Sequence, residues 1–236
     1  MIEIKNLTAG YGMVKVLRDI NIAVQDGECV GIVGPNGAGK STLFRAISGV
    51  AKTMQGEIVL NGKNITGHSP WNVAKLGIAH VPEGRLLFGT MTVEENIQIA
   101  MDSVAYPKAK QAGQYEMVYD LFPILKEKRK QKAGDLSGGQ QQMVAVARGM
   151  VVSPKILLLD EPSLGLAPIV TQEICAAVEK LKGSNMSIIV ADQNASMVMK
   201  MASRVYILAE GTVVIDGPSE ELRHNDEVWK AYVNND

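Results

Sequence analysis

Apolar positions at Ile2 and Ile4, and again at Ile20, Ile22 and Val24, recur every second residue, the period that puts successive side chains on opposite faces of a strand. Residues 29–33 form an unbroken apolar run, as a buried strand does. A strand over 57–60 stops at the Asn61-Gly62 turn, and others are predicted over 78–81, 156–160, 187–191, 204–209 and 212–215. The last two flank Glu210-Gly211 and predict a hairpin. Helices separate several strands: one opens at Lys40, and another runs from Pro168 to Gly183 with Val170, Ile174, Val178 and Leu181 on one face. Such alternation predicts an α/β fold with a mostly parallel sheet. From about residue 84 to 150 the strand signal disappears and helical patterns take over, opening with the capping box Thr92-Val-Glu-Glu95. The predicted division of the single domain 1–236 is therefore an α/β core of residues 1–84 and 151–236 with a helical subdomain, 85–150, inserted in it.

Composition narrows the possible functions. The 236 residues are 46% hydrophobic and 21% charged, with 24 basic and 25 acidic residues and a net charge of −1, which excludes a disordered chain. A near-neutral balance (pI ≈ 6.3) lacks the broad positive field that nucleic acids select, and 5% aromatics leave little for base stacking, so no nucleic-acid partner is expected. No apolar run approaches the roughly 18 residues of a membrane span, and Met1-Ile-Glu-Ile-Lys5 does not resemble a secretory signal, so a cytosolic chain is expected. Cys29 and Cys175 lack metal-ligand spacing and read as buried small residues. Charge is uneven: residues 101–134 carry seven basic against four acidic side chains, and residues 209–236 carry seven acidic against two basic. Both stretches read as solvated faces, and the basic one alternatively as a surface for anionic lipid. The 12 methionines, including Met197, Met199 and Met201, read as core filling. His68, His80 and His224 are too far apart in sequence to suggest a metal cluster and receive no role.

Three motifs carry chemistry. Gly34-Pro35-Asn36-Gly37-Ala38-Gly39-Lys40-Ser41 fits the P-loop pattern and sits after a buried strand and before a helix, the context its mechanism requires. Its glycines let backbone N–H groups turn toward phosphate, Lys40 reaches the β- and γ-phosphates, and Ser41 can hold Mg²⁺. The apolar strand 156–160 ends in Asp160-Glu161, two neighbouring acids that point to opposite faces and so can take two roles. Asp160 suits Mg²⁺ and Glu161 suits polarising the attacking water, the alternative for Glu161 being a cap on the turn at Pro162-Ser163. Leu136-Ser137-Gly138-Gly139-Gln140, just before the apolar helix 143–150, forms a second anion site of hydroxyl and backbone donors at a helix start. One nucleotide needs one P-loop, so two phosphate-binding helix starts in one chain point to a site completed by another subunit.

These three motifs in this order resemble those of ABC-type ATPases over essentially the whole chain. The resemblance implies a P-loop NTPase fold with a mostly parallel RecA-like core, an N-terminal antiparallel β subdomain and an inserted helical subdomain. It implies ATP and Mg²⁺ as cofactors, held by residues 34–41 and Thr42 of one subunit and by Ser137, Gly138, Gly139 and Gln140 of a second, paired head to tail. It also implies an aromatic on the adenine. Tyr11 between Gly10 and Gly12 matches it and can offer its face to a base; the alternative is a turn tyrosine packed on the sheet.

Two positions depart from the general pattern. Glu83 follows Val81-Pro82 where most members have glutamine, and Gln193 stands after Asp192 where most have histidine. Glu83 can still bind Mg²⁺ or water, and Gln193 can donate a hydrogen bond without titrating. With Val81-Pro-Glu-Gly-Arg85, Met91-Thr-Val-Glu-Glu-Asn96, Glu161-Pro-Ser-Leu-Gly-Leu-Ala-Pro168 and Gln193-Asn-Ala195, the chain is similar to the LivF-type ATPase subunits of bacterial branched-chain amino acid importers. The expected partners are integral-membrane permease subunits, a second ATPase subunit in a heterodimer or homodimer, and indirectly a periplasmic solute-binding protein. The expected location is peripheral, on the cytoplasmic face of the cell membrane. Urea, amides or other amino acids as cargo, and a soluble non-transport ABC ATPase, are the alternative readings.

Overall fold

The computed structural model describes residues 1–182 and 186–224. The chain opens with the hairpin β1 (Ile2–Tyr11) and β2 (Val14–Val24), then β3 (Cys29–Val33) and α1 (Lys40–Ile47), followed by β4 (Lys52–Leu60), β5 (Lys63–Asn64), α2 (Pro70–Lys75) and β6 (Ile78–Val81). A helical stretch comes next: α3 (Val93–Ser103), α4 (Lys108–Leu121), α5 (Pro123–Glu127), a 3₁₀ turn at Ala133–Asp135 and α6 (Gly138–Met150). The chain then alternates through β7 (Ile156–Asp160), α7 (Pro168–Leu181), β8 (Ser187–Asp192), α8 (Ala195–Met201), β9 (Arg204–Ala209), β10 (Thr212–Pro218) and α9 (Ser219–Arg223). The predicted end of α7 at Gly183 and the acidic residues beyond 224 lie outside the described residues.

Two sheets enclose α1. The first, ordered β2-β1-β4-β5, is antiparallel, with Ile2 opposite both Val24 and Leu60, and Ile4 opposite both Ile22 and Ile58. These six side chains are buried in one cluster with Leu43, Phe44 and Ile47 of α1. The second sheet runs β10-β9-β3-β8-β7-β6; its neighbours are parallel except the β9–β10 hairpin. Its alternate residues serve two cores. Val30, Ile32, Ile156, Leu158 and Ile189 face α1, while Val33, Leu157, Leu159, Ile188 and Val190 face the cluster that includes α3, α6 and α8. Coverage on both faces is why these strands lack alternation and read as continuous apolar runs.

The structure extends several predicted elements. β4 begins at Lys52, five residues before its apolar part, because its polar half pairs through backbone with β1 (Lys52 opposite Gly10, Thr53 opposite Ala9). The pairing shifts register where Gly56 (φ 79°) passes over Asn6 and Lys5, whose carbonyl oxygens lie 2.3 and 2.4 Å from where a β-carbon would stand. α6 starts at Gly138 and so contains the glycines of the signature that was placed just before it. Met197, Met199 and Met201 are buried in α8, whereas Met13 is 95% exposed at the β1–β2 turn. The basic side chains of 101–134 are exposed, Lys108 and Lys110 on α4, Lys126 on α5 and Arg129, Lys130 and Lys132 in the segment after it, except the half-buried Lys128 in that segment. Cys29 is buried, which pushes its thiol pKa up to about 12, and Cys175 is half-buried; both are free thiols. No helix among the described residues is long and apolar enough to cross a membrane.

Candidate functional site

Because β3, β7 and β8 are parallel, their carboxyl ends reach one edge of the sheet: Val33 pairs with Asp192, and Asp160 with Ala191. Ligands of open α/β sheets bind at such an edge. From Val33 the chain turns through the P-loop into α1. Gly37 (φ 82°) and Gly39 (φ 107°) take left-handed conformations that a side chain disfavours. Gly39 is the N-cap of α1 and offers no side chain to the helix start, so the first N–H groups stay available to an anion. The cleft here has a volume of about 360 Å³ and is lined by Val16, Asn36, Gly37, Gly39, Lys40, Ser41, Thr42, Glu83, Glu161 and Leu164.

Lys40 is 3% exposed, and its ammonium donates to Gly34 O at 2.8 Å and Pro35 O at 3.1 Å while pairing with Glu161 Oε1 at 3.1 Å. Its three hydrogens therefore have three internal acceptors. Glu161, 9% exposed, has a left-handed backbone (φ 47°), uncommon for a non-glycine residue, fixed by its N–H on Ala191 O at 2.7 Å. Such strain at the end of an apolar strand is found where a side chain must be aimed. Asp160 is 1% exposed and accepts from Ser41 Oγ at 3.1 Å. Burial, with Glu161 and Glu83 nearby, pushes its pKa up to about 6 against the help of Ser41. Among the described residues no three His, Cys, Asp or Glu side chains gather into a metal cage. The Ser41 hydroxyl, which lines the cleft, and the Asp160 carboxylate hydrogen-bonded behind it are oxygen donors that fit Mg²⁺, a hard cation that keeps waters and takes phosphate oxygens as its remaining ligands.

Of the remaining sequence-predicted residues, Tyr11, Glu83, Gln193 and 137–140, only Glu83 is among those lining this cleft. Glu83 lines it on the loop after β6. Tyr11 is 41% exposed at the end of β1; its hydroxyl accepts from Arg45 Nη1 at 3.2 Å, and it is not among the cleft-lining residues. Gln193 is exposed directly after β8. Its neighbour Asp192 is 1% exposed and receives Ser163 N and Oγ at 3.1 and 2.8 Å and Asn194 N at 2.9 Å, tying the loop after Glu161 to the segment that carries Gln193. Ser137 is exposed and caps α6: its Oγ accepts from Gln140 N at 3.3 Å, and Gln140 Oε1 accepts from Ser137 N at 3.1 Å. The serine's own O–H stays free to donate outward. Gly139 must lack a side chain, since a β-carbon would stand 2.7 Å from Val170. None of residues 137–140 lines the cleft of the same chain.

Sequence reasoning missed Val16, Leu164, Arg45, Asp192 and His80. Val16 and Leu164 reach the cleft as single apolar residues of a kind found throughout the chain. His80 is brought to 4.0 Å from Asp160 Oδ2 only by the pairing of β6 with β7. Regular β6–β7 pairing was the one signal available, because it sets His80 opposite Leu158 and diagonal to Asp160.

Residues 17–164, more than half the chain, match the profile of the family described as ABC transporter. The chain is 40% identical over 233 residues to the high-affinity branched-chain amino acid transport ATP-binding protein BraG of Pseudomonas aeruginosa, covering 99% of each. It is 35% identical over 231 residues to the probable branched-chain amino acid transport ATP-binding protein LivF of Archaeoglobus fulgidus, covering 98% of this chain and 97% of the relative. A solved dimeric ATP-binding cassette in a post-hydrolysis state, bound to ADP and Pi, superposes with a TM-score of 0.82 at 25% identity, over 93% of this chain and 99% of that one. With a P-loop, an Asp-Glu strand end and a capped signature helix on this fold, the chain belongs to the ATP-binding subunits of ABC transporters, close to those of branched-chain amino acid transport.

Proposed function

We propose that this chain hydrolyses ATP to drive import of branched-chain amino acids through permease subunits. The observation that supports this reading is the pair of glycine-bearing helix starts, α1 and α6, only one of which opens on the chain's own cleft. The second serves a nucleotide held by another ATPase subunit, identical or different, in a head-to-tail dimer. In this reading residues 34–42 hold the phosphates, and Lys40 exchanges its loop carbonyls and Glu161 for phosphate oxygens. Ser41 and Asp160, with Glu83 nearby, would hold Mg²⁺, which when bound would supply positive charge against that developing on the transferred phosphoryl group. Glu161, released from Lys40, accepts the proton of the attacking water as general base. Gln193 gives a neutral hydrogen bond near the γ-phosphate, and Tyr11 turns from Arg45 to stack on adenine.

The core, residues 1–84 and 151–236, binds the nucleotide, and 85–150 presents Ser137, Gly138, Gly139 and Gln140 to the partner. A groove of about 760 Å³ between α2, β6, α3 and α6, rimmed by the exposed apolar Leu86 and Phe88, suits an apolar permease segment and would hold the chain at the cytoplasmic face of the membrane. A periplasmic solute-binding protein would act through the permease. The test is co-purification with co-expressed candidate permease subunits, followed by reconstitution in vesicles. ATP-driven uptake of leucine, isoleucine or valine, lost in Lys40→Ala, is the expected result; assembly with permeases that move another solute would refute the cargo and leave the ATPase role standing.

A further inference from the structure

A buried polar atom without a partner stands beside the candidate metal pair. His80 Nε2 makes no hydrogen bond although it is shielded from solvent, and it lies 4.0 Å from Asp160 Oδ2. The other end of the ring is anchored, with Nδ1 3.3 Å from Ser48 Oγ. Phe44 of α1 meets the imidazole edge-on, with centroids 5.9 Å apart and planes at 88°, which fixes the ring plane. Asp160 already uses Oδ1 to accept from Ser41. Its second oxygen is the one that faces His80.

The carboxylate oxygen that faces Nε2 selects the tautomer. Were Nδ1 the protonated nitrogen, the Nε2 lone pair would point at a carboxylate oxygen, two acceptors face to face in a buried place. The Ser48 O–H has two acceptors in reach, Arg45 O at 3.4 Å and His80 Nδ1 at 3.3 Å; turned to Nδ1, it leaves the ring proton on Nε2, where it meets Oδ2 favourably. The ring is neutral at physiological pH, since burial and the nearby Arg45 lower its pKa to about 4. The 4.0 Å gap is about 1 Å beyond hydrogen-bond length, so a small turn of the carboxylate or one bridging water completes the link.

We propose that His80 is a positioning residue for Asp160: its Nε2–H, aimed by Ser48 and Phe44, holds Oδ2 so that Oδ1 is presented beside Ser41, where the magnesium of the bound nucleotide would be held. The proposal rests on reading Ser41 and Asp160 as the metal pair. Partners that orient a metal-binding carboxylate commonly affect metal affinity by about 10- to 100-fold.

Two measurements test it. The full chain has three histidines, so selective ¹⁵N labelling, with His80→Gln to assign the signal, reads the His80 tautomer directly in the metal-free protein. A protonated Nε2 and a bare Nδ1 are expected; a protonated Nδ1 overturns the proposal. Manganese(II) affinity of the ATP-bound chain, read by electron paramagnetic resonance, is the second. His80→Leu should weaken it about 10- to 100-fold with metal-free ATP binding unchanged. His80→Gln, which keeps an N–H donor at the same reach, should stay near wild type. Unchanged affinity in His80→Leu, or equal loss in both variants, overturns the donor role. Asp160→Asn separates the two readings: if it leaves manganese affinity intact, the metal pair itself is wrong, and with it this proposal. Loss in Asp160→Asn with full affinity in His80→Leu removes His80 alone.

Discussion

The ammonium of Lys40 is shared between two loop carbonyls and Glu161, both side chains nearly out of solvent. Removing one member of such a pair strands the other, at a cost of about 3 to 5 kcal/mol when no partner replaces it. Lys40→Ala should therefore abolish tight Mg-ATP binding by calorimetry and also lower the urea midpoint, and adding Glu161→Gln should restore most of that stability. Glu161→Gln alone should keep ATP binding and slow turnover at least about a hundredfold, the usual loss of a general base. Asp160 behaves differently because burial raises its pKa from 3.8 to about 6. The folded chain holds that proton more tightly than the unfolded one, so its carboxylate costs stability as pH rises through 6 and costs nothing below about 3.8. Nucleotide-free Asp160→Asn should be more stable than wild type at about pH 8, by on the order of 2 to 3 kcal/mol, with the gap closing toward about pH 4 in urea titrations. Lys40, Ser41, Asp160 and Glu161 were legible from sequence because their spacing has a mechanism. His80 and Asp192 were not, since each acquires its neighbours through strand pairing across long stretches of chain.

At the scale of elements, hydrophobic period located the core strands and missed what backbone alone holds. The apolar strands over 29–33, 78–81 and 156–160 coincide with β3, β6 and β7, because both faces of that sheet are covered. The polar half of β4 carried no periodic signal, for its pairing with β1 depends on main-chain hydrogen bonds and the conformation of Gly56. The capping box that the sequence predicts at Thr92 and Glu95 is present, and Ser137 and Gln140 form a second one, at the residues the sequence offers to phosphate. The two uses are compatible, since the cap takes the serine oxygen as acceptor and leaves its proton outward. Ser137→Ala should thus cost about 0.5 to 2 kcal/mol of monomer stability in denaturant titrations, even without nucleotide. Phe44, fully buried between the sheets, should cost about 3 to 5 kcal/mol on replacement by alanine.

For the whole molecule, the P-loop cleft opens at the carboxyl edge of the parallel sheet while the signature helix starts elsewhere on the surface, with Ser137 exposed. On the proposed reading, in which the α6 start receives phosphate as the α1 start does, a copy or a relative is needed to finish either site. The most direct measurement of this is the mass of the Glu161→Gln chain by light scattering with saturating Mg-ATP, compared with Glu161→Gln/Ser137→Arg. Both should bind ATP with equal affinity as monomers. The first should double in mass when ATP is added and the second should not, because the arginine fills the phosphate site of the partner. A Glu161→Gln chain that stays monomeric with ATP bound would contradict a composite site between two copies, and a double variant that dimerises equally well would contradict the part given to Ser137.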